Sequence, residues 1–461
     1  MTNDLTKGSP IKQIFLFSIP YLIGNLFQQF YNIADMVIVG RTLDALAYTA
    51  VGATSSLVWF ASGAIQSLTL GFSALTARYF GANDEEGIKR SFAASIKLSA
   101  IISVLLAVVC TLFARPILEL LRTPDDIIDR SYAYIVWIFA GLVATALFNL
   151  LSNMIRALGD SKTPLCFLII ACLINIVLDV VFIAFFGMDT DGAGLATVLA
   201  QLISGVFCIG YIKKRQPLLH FSGRHFKNDR TLDIQLLKVG MPMAFLNMVL
   251  SIGGIVMQFV TNGLGTLYVS AQTTGAKIVN FVTQPLLSFS SALSVFTAQN
   301  YGAKKYLRLV DGGKKTLYLG FAWSIIASVI MLLCGRFLVV LLAGEVAETV
   351  VDNAQLYIVI STLCSFFLTP LVVWKAVLQS IGRSTSAMIS GFTEIAARAG
   401  LSLGVIALMS AGLVSEGLGF VFICFCDPFA WLIGMLTVLF EYTATVKELK
   451  RHARATGESL G

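Results

Sequence analysis

The chain has 461 residues, 57% of them hydrophobic and 13% charged, with a net charge of +7 and a mean hydropathy of +0.81. Soluble domains carry about 25% charged residues, so a water-soluble core is excluded and a polytopic α-helical membrane protein is implied. The apolar runs are long and uninterrupted instead of alternating with period two, which excludes an outer-membrane barrel.

Residues Met1 to Gln13 lead into an apolar segment far longer than a signal-peptide core, with no small-residue cleavage site after it, so a retained first helix is expected. A helix needs about 20 apolar residues to cross a bilayer. By that criterion the sequence predicts about twelve spans, near 12–40, 48–78, 92–114, 130–155, 164–187, 192–212, 236–262, 268–299, 315–343, 350–380, 387–412 and 417–442. Several exceed the minimum length and must tilt, bend or project from the bilayer.

Lys and Arg set the orientation. One set of loops, with the tail, holds roughly 24 of them, from Lys7 and Lys12 through the stretch Lys213–Lys238 to Arg454; the other holds roughly 5, namely Arg41, Arg115, Arg122, Arg130 and Arg336. Both termini are therefore expected in the cytoplasm. Basic residues alternating by loop are a topology signal, not a nucleic-acid surface. The eight cysteines lie in apolar segments without a C-x-x-C pair, and His220, His225 and His452 lie in a loop and the tail. A zinc site and an intramembrane histidine relay are both excluded.

The chain repeats itself. Ala77-Arg78-Tyr79-Phe80-Gly81-Ala82 after the second span matches Ala298-Gln299-Asn300-Tyr301-Gly302-Ala303 after the eighth. Arg156-Ala157-Leu158-Gly159-Asp160-Ser161 matches Gln379-Ser380-Ile381-Gly382-Arg383-Ser384, and Pro20 falls opposite Pro242. Six spans per repeat give both halves one orientation, the plan of a two-lobed secondary transporter. The expected divisions are a six-helix lobe over 1–212, a cytoplasmic loop over 213–235, a second six-helix lobe over 236–442 and a basic tail over 443–461.

Asp35 puts a carboxylate inside the first span, at a cost of roughly 2.5–3.5 kcal/mol on insertion scales. Such a residue is a functional candidate by default. Tyr31 is four residues earlier on the same face; Asn175 and Asp179 share a face of the fifth span; Thr197 is in the sixth. At about 1.5 Å of rise per residue, Asp35, Asp179 and Thr197 all fall in the outer half of the bilayer and could meet. Two carboxylates, an amide oxygen and a hydroxyl suit a hard cation such as Na⁺. Two acids sharing a buried site equally suit a proton, because both cannot ionise cheaply. Pro20, about 22 Å of helix rise from Asp35, can bend the helix that carries the acid.

By the repeat offset the second half has Met257 opposite Asp35, Arg398 opposite Asn175 and Ser402 opposite Asp179. Its own membrane charges are Lys375, Glu394 and Arg398. Glu394 and Arg398, four apart, can pair on one helix. Lys375, beside Trp374, is expected either to meet Glu394 or to approach a polar or anionic substrate.

With these motifs in this order, the chain resembles the multidrug and toxic compound extrusion (MATE) family over roughly residues 10–445. The resemblance rests on Ile19-Pro20, Asp35-Met36-Val37-Ile38-Val39-Gly40, Arg156-Ala157-Leu158-Gly159-Asp160, Asn175-Ile176-Val177-Leu178-Asp179 and Gly192-Ala193-Gly194-Leu195-Ala196-Thr197. It implies an all-α, V-shaped fold of two six-helix bundles that exports organic cations or other amphipathic compounds against inward Na⁺ or H⁺. No organic cofactor is implied. The residues matching the site of DinF-like and archaeal members are Tyr31, Asp35, Asn175, Asp179 and Thr197. Tyr134 matches a family tyrosine and Asn153 a family asparagine, and both join Lys375 and Trp374 as candidate cavity residues. NorM-type members carry acids in the seventh and tenth spans, where this sequence has Leu250 or Ser251 and Pro370, which speaks against that second site. The family's bending of the first helix fits Pro20.

The expected activity is therefore cation-coupled multidrug export by a monomer in the plasma membrane. The alternative is a lipid-linked oligosaccharide flippase of the same superfamily, which would favour a basic cavity over paired acids. The sequence contains no H-E-x-x-H, G-x-S-x-G or Walker A motif, so an enzyme or an ATP-driven pump is excluded.

Overall fold

The structure, a computed structural model, describes residues 4–121, 123–227, 229–344, 347–455 and 457–458. Arg122 and the last three residues of the basic tail lie outside them. Among the described residues the chain is helical throughout, without a strand. In order the helices are α1 (Pro10–Thr42), α2 (Ala45–Gly81), α3 (Glu85–Leu120), α4 (Asp125–Ala140), α5 (Leu142–Ala157), α6 (Lys162–Asp179) and α7 (Thr190–Arg215). Then follow α8 (Arg230–Asn262), α9 (Thr266–Gly302), α10 (Tyr306–Ala343), α11 (Glu348–Leu363), α12 (Ser365–Ser380), α13 (Ser384–Ser410), α14 (Glu416–Cys424) and α15 (Cys426–Ala455).

Nine of the described helical stretches are long and apolar enough to cross a membrane, and two bent pairs, α4 with α5 (46°) and α11 with α12 (47°), each make one more. With α1, whose apolar run is interrupted by Asn25, Gln28, Gln29, Asn32 and Asp35, they occupy the twelve expected positions. The α4–α5 bend is at Gly141, where a Cβ would stand 2.1 Å from Val198 Cγ2. The other bend, at Cys364, is at the corresponding place of the second repeat.

The repeats share backbone detail as well as motif. Asn83 and Lys304, just beyond the paired glycine-alanine motifs, both have left-handed φ, 56° and 59°. Gly159 and Gly382 end α5 and α12 with φ of 87° and 89°, a conformation glycine adopts without steric cost. Each then closes its helix with the same bond pattern, Asp160 N–H to Ile155 O (3.3 Å) and Arg383 N–H to Leu378 O (2.8 Å).

The chain forms two compact units: Met1–Lys7, Ile19–Met248 and Ala298–Lys304 in the first; Gly8–Ser18, Val249–Thr297 and Lys305–Gly461 in the second. Unit 1 has two apolar clusters, one around Phe72, Phe92, Phe148 and Met154, the other around Ile65, Ile135, Phe139 and Val39. Unit 2 packs around Ile278, Met331, Ile358 and Phe420.

Within unit 1 the two copies of the glycine motif touch. A Cβ on Gly81 would lie 1.9 Å from the Gln299 carbonyl oxygen, and one on Gly302 1.9 Å from that of Arg78. Ala77, Ala157 and Ala298 close the gap beneath, Gln299 Nε2 donates to Ala157 O (2.8 Å), and Leu5 N–H donates to Gln299 Oε1 (3.0 Å).

At the opposite end of unit 1, Arg130 on α4 spans two acids: its guanidinium donates to Asp44 Oδ1 (2.7 Å) and to Asp189 Oδ2 (2.8 Å). Asp44 also caps α2 by accepting from Ala47 N–H (2.7 Å). The Arg130 guanidinium and the cap N–H hold the Asp44 carboxyl below the usual carboxylate range. The sign follows from that depression: the clamp contributes fully above the ordinary carboxylate pKa and is lost as pH falls through the folded one. Asp44→Asn should therefore melt below the parent protein at pH 7, and the gap should close as the pH is lowered towards 3. A gap that does not change with pH in a thermal scan would contradict this.

Candidate ion-coupling site

Asp35 is on α1 and only 5% exposed; Asp179, the last residue of α6, is fully buried. Their carboxyl groups lie within side-chain hydrogen-bond reach of each other. Asp35 Oδ1 and Asp179 Oδ1 have no hydrogen-bond partner among the described residues. An unsatisfied buried oxygen is costly, so each of these two carboxyl groups has a hydrogen-bonding need that the described residues do not meet.

The surrounding groups come from four helices. Tyr31 Oη, one turn before Asp35, donates to Thr197 Oγ1 on α7 (3.1 Å). Asn175 is one turn before Asp179 and buried. With its amide turned so that both atoms are satisfied, Nδ2 donates to Asp179 Oδ2 (3.0 Å) and Oδ1 accepts from Thr197 N–H (3.2 Å). In that assigned orientation Asn175 presents its nitrogen to the acid. Tyr134 on α4 is buried within electrostatic reach of both acids and Tyr31. Its carbonyl lies where a Cβ on Gly194 would come to 2.7 Å, so glycine lets α7 approach α4 closely.

Directly after Asp179 the helix widens into a π-helical turn, Val180–Phe185. Such turns are rare and concentrate at functional sites. Nothing in the apolar Val180-Val181-Phe182-Ile183-Ala184-Phe185 announces it.

The remaining candidates lie elsewhere. Asn153 belongs to a separate polar group, donating to Thr69 Oγ1 (3.2 Å) and accepting from Arg156 (3.1 Å), whose guanidinium lies 4.8 Å over the Tyr21 ring. Pro20 lies inside a continuous α1, one residue past the point where the division between the units crosses that helix.

In unit 2, Lys375 is buried against Glu394, which also accepts from Ser390 Oγ (3.0 Å). Arg398 instead pairs with Asp427 on α15, Nε to Oδ1 at 2.8 Å, and Tyr357 Oη reaches Asp427 at 3.3 Å. The expected Glu394–Arg398 pair on one helix is therefore not formed. An i,i+4 pair contributes only a few tenths of a kcal/mol, whereas each buried charge needs a well-directed partner, and α12 and α15 supply them. Trp374 stacks on Tyr442 with ring centroids 5.2 Å apart. Where the first repeat has its acids, unit 2 has Met257, and Ser402 beside Cys426 Sγ (3.2 Å).

Sequence reasoning passed over charges well inside spans, Asp427, Lys97 and Lys277 among them. Asp427 is the missing partner of Arg398, and Lys97 pairs with Asp233 (2.6 Å). Lys277 is exposed on α9 and has no ion-pair partner among the described residues. Each was visible as a charge interrupting an apolar run.

The MatE family profile matches residues 20–181 and 242–403, each match opening at one of the repeat-related prolines Pro20 and Pro242. The probable multidrug resistance protein YoeA of Bacillus subtilis (strain 168) is 29% identical over 341 residues, 72% of this chain and 73% of that protein. The probable multidrug resistance protein YpnP of the same strain is 27% identical over 417 residues, 90% and 92% of the two chains. A crystal structure of MATE in the bent conformation superposes with a TM-score of 0.87 at 21% identity, covering 98% of each chain. The backbone turns repeated at Asn83 and Lys304, and at Gly159 and Gly382, thus belong to two copies of one recognised unit, and the chain is a member of the MatE family.

Proposed function

We propose that this chain is a secondary active exporter that moves organic cations and other amphipathic drugs outward against an inward cation gradient, by alternating access. The observation that carries this reading is the Asp35–Asp179 pair, buried in unit 1 with one unsatisfied oxygen on each acid. The relatives named for multidrug resistance support the substrate class. The protein works as a monomer in the plasma membrane with both termini cytoplasmic, as the distribution of Lys and Arg implies.

Of the two coupling cations, the geometry favours H⁺. A Na⁺ ion would draw on Asp35, Asp179, the Asn175 amide oxygen and the Thr197 hydroxyl, and so would need the Asn175 amide turned opposite to the orientation its hydrogen bonds assign it. Two carboxyl groups in mutual hydrogen-bond reach need only one shared proton to be satisfied.

Dye efflux from vesicles with independently imposed H⁺ and Na⁺ gradients tests the reading. A pH gradient alone should drive efflux, and Asp35→Asn or Asp179→Asn should lower it by at least about tenfold, the range of a lost proton-transfer group. Undiminished efflux in both variants would remove the acids from coupling. Efflux driven by Na⁺ alone would replace H⁺ with Na⁺.

The flippase reading requires cations free to meet an anionic substrate. Lys375 and Arg398 are each matched by an acid, which leaves Lys277. Lys277→Gln should leave cation efflux intact or raise it, measured by the same assay. A loss of lipid-linked sugar transport in that variant would favour the flippase instead.

A further inference from the structure

A second site lies away from the acids, where α3 meets the loop between α7 and α8. It is a cavity of about 340 Å³ within unit 1, lined by charges of both signs: Arg90, Lys97, Arg224 and Lys227 against Glu86, Asp229 and Asp233. We infer that this cavity binds the headgroup of a membrane phospholipid, a phosphodiester carrying a primary ammonium, as in phosphoethanolamine.

Two buried polar atoms in the lining lack hydrogen-bond partners among the described residues, and they are of opposite kind. His225, with its side chain 3% exposed, accepts at Nδ1 from Ser222 N–H (2.8 Å), which places its proton on Nε2. That Nε2–H is 3.2 Å from Glu86 Oε1 but makes no hydrogen bond with it. It is a donor awaiting an acceptor. Asp233 gives Oδ2 to Lys97 (2.6 Å) and keeps Oδ1 unpaired, an acceptor awaiting a donor.

The cations around His225 are loosely held. Arg90 stands 3.8 Å from Asp229 and Arg224 3.7 Å from Glu86, beyond good hydrogen-bond length, and Lys227 has no ion pair among the described residues. Guanidinium groups suit phosphate oxygens. Three carboxylates in the same lining would repel a purely anionic ligand and attract an ammonium. Mixed charge with one orphan donor and one orphan acceptor matches a zwitterion.

The position argues for a lipid over a soluble phosphate ester. The cavity residues Glu86, Arg90, Ala94 and Lys97 run along one face of α3, and the next turn begins its exposed apolar band, with Ile101 at 58% and Leu105 at 63%. One helical turn is about 5.4 Å, so the cavity adjoins the hydrocarbon. Phe221 and Phe226 stack edge-on beside it (5.2 Å) and remain part-exposed, as interfacial aromatics do.

The test is lipid retention by the purified full-length protein, read by native mass spectrometry after exchange into mixed micelles. Phosphatidylethanolamine, phosphatidylglycerol and phosphatidylcholine of identical chains would be compared with soluble phosphoethanolamine and inorganic phosphate. One phosphatidylethanolamine should be retained per chain, about tenfold over phosphatidylcholine, the ratio of one good charged hydrogen bond. Arg90→Gln with Arg224→Gln should lower retention of phosphatidylethanolamine and phosphatidylcholine alike, whereas Glu86→Gln with Asp229→Asn should remove the preference between them. Lys227→Gln, which breaks no ion pair among the described residues and so spares the fold, should weaken retention several-fold. Arg41→Gln with Arg336→Gln should not change it. Equal retention of the three lipids, or retention unchanged in the cavity variants, would overturn the site. Soluble phosphoethanolamine binding as tightly as the lipid would overturn the lipid assignment. None of these outcomes depends on transport, so they are separable from a failure of the export reading.

Discussion

Lys375→Met should destabilise the protein by about 3–5 kcal/mol, because removing one member of a buried pair strands the other. Lys375 and Glu394 have side chains only 10% and 4% exposed, and Ser390 is the other hydrogen-bond donor to Glu394. The double variant Lys375→Met with Glu394→Leu should recover most of that loss, since replacing both charges by apolar groups of similar size is often neutral. Thermal melting in micelles of the four proteins in this cycle gives the coupling directly. The cycle also separates two roles. If Lys375 only neutralises Glu394, the double variant transports as well as it folds. If Lys375 approaches substrate, the double variant folds but exports poorly.

Gly302→Val should have the second large effect. The new Cβ would stand 1.9 Å from the Arg78 carbonyl oxygen, a backbone atom that cannot swing aside as a side chain would. Overpacking typically costs 1–3 kcal/mol, and here the backbone must part to relieve it. Ala77 and Ala298 report the contact, because both are buried in the small cluster beneath it. In a cysteine-free background, Ala77→Cys with Ala298→Cys should cross-link readily, and adding Gly302→Val should slow this by more than about tenfold, as a shift of 1.4 kcal/mol or more implies. Gly404→Val, at a position where a Cβ meets nothing within 4 Å, should leave the rate unchanged. Equal rates in all three would mean that the crossing does not depend on glycine.

The spans were legible because lipid imposes a single rule on length and polarity, and eleven described stretches obey it, with α1 added by its length and position. Helix rise placed Asp35, Asp179 and Thr197 at one depth, and Tyr31, Asn175 and Thr197 are joined by hydrogen bonds there. What stayed hidden depended on direction. The π-helical turn after Asp179 has no compositional mark, and the orientation of the Asn175 amide is decided by Thr197 N–H, a backbone group on another helix. Glu394 had a plausible partner four residues away, yet the lower-cost arrangement came from Lys375 on α12 and, for Arg398, from Asp427 on α15. Local spacing names candidates; tertiary packing chooses among them.

The matching turns at Asn83 and Lys304, and at Gly159 and Gly382, have a consequence for the history of the chain. After a gene segment is doubled, either copy is free to drift wherever the other still performs the shared task. Here the corners kept their shape in both copies, while the chemistry inside the helices parted company: acids in one, and Met257 and Ser402 in the other. A protein divided in this way can lose or gain a titrating residue in the second copy without disturbing the first. Carboxylates can therefore be introduced at Met257 and Ser402, the repeat counterparts of Asp35 and Asp179, without altering the corners that the two copies share.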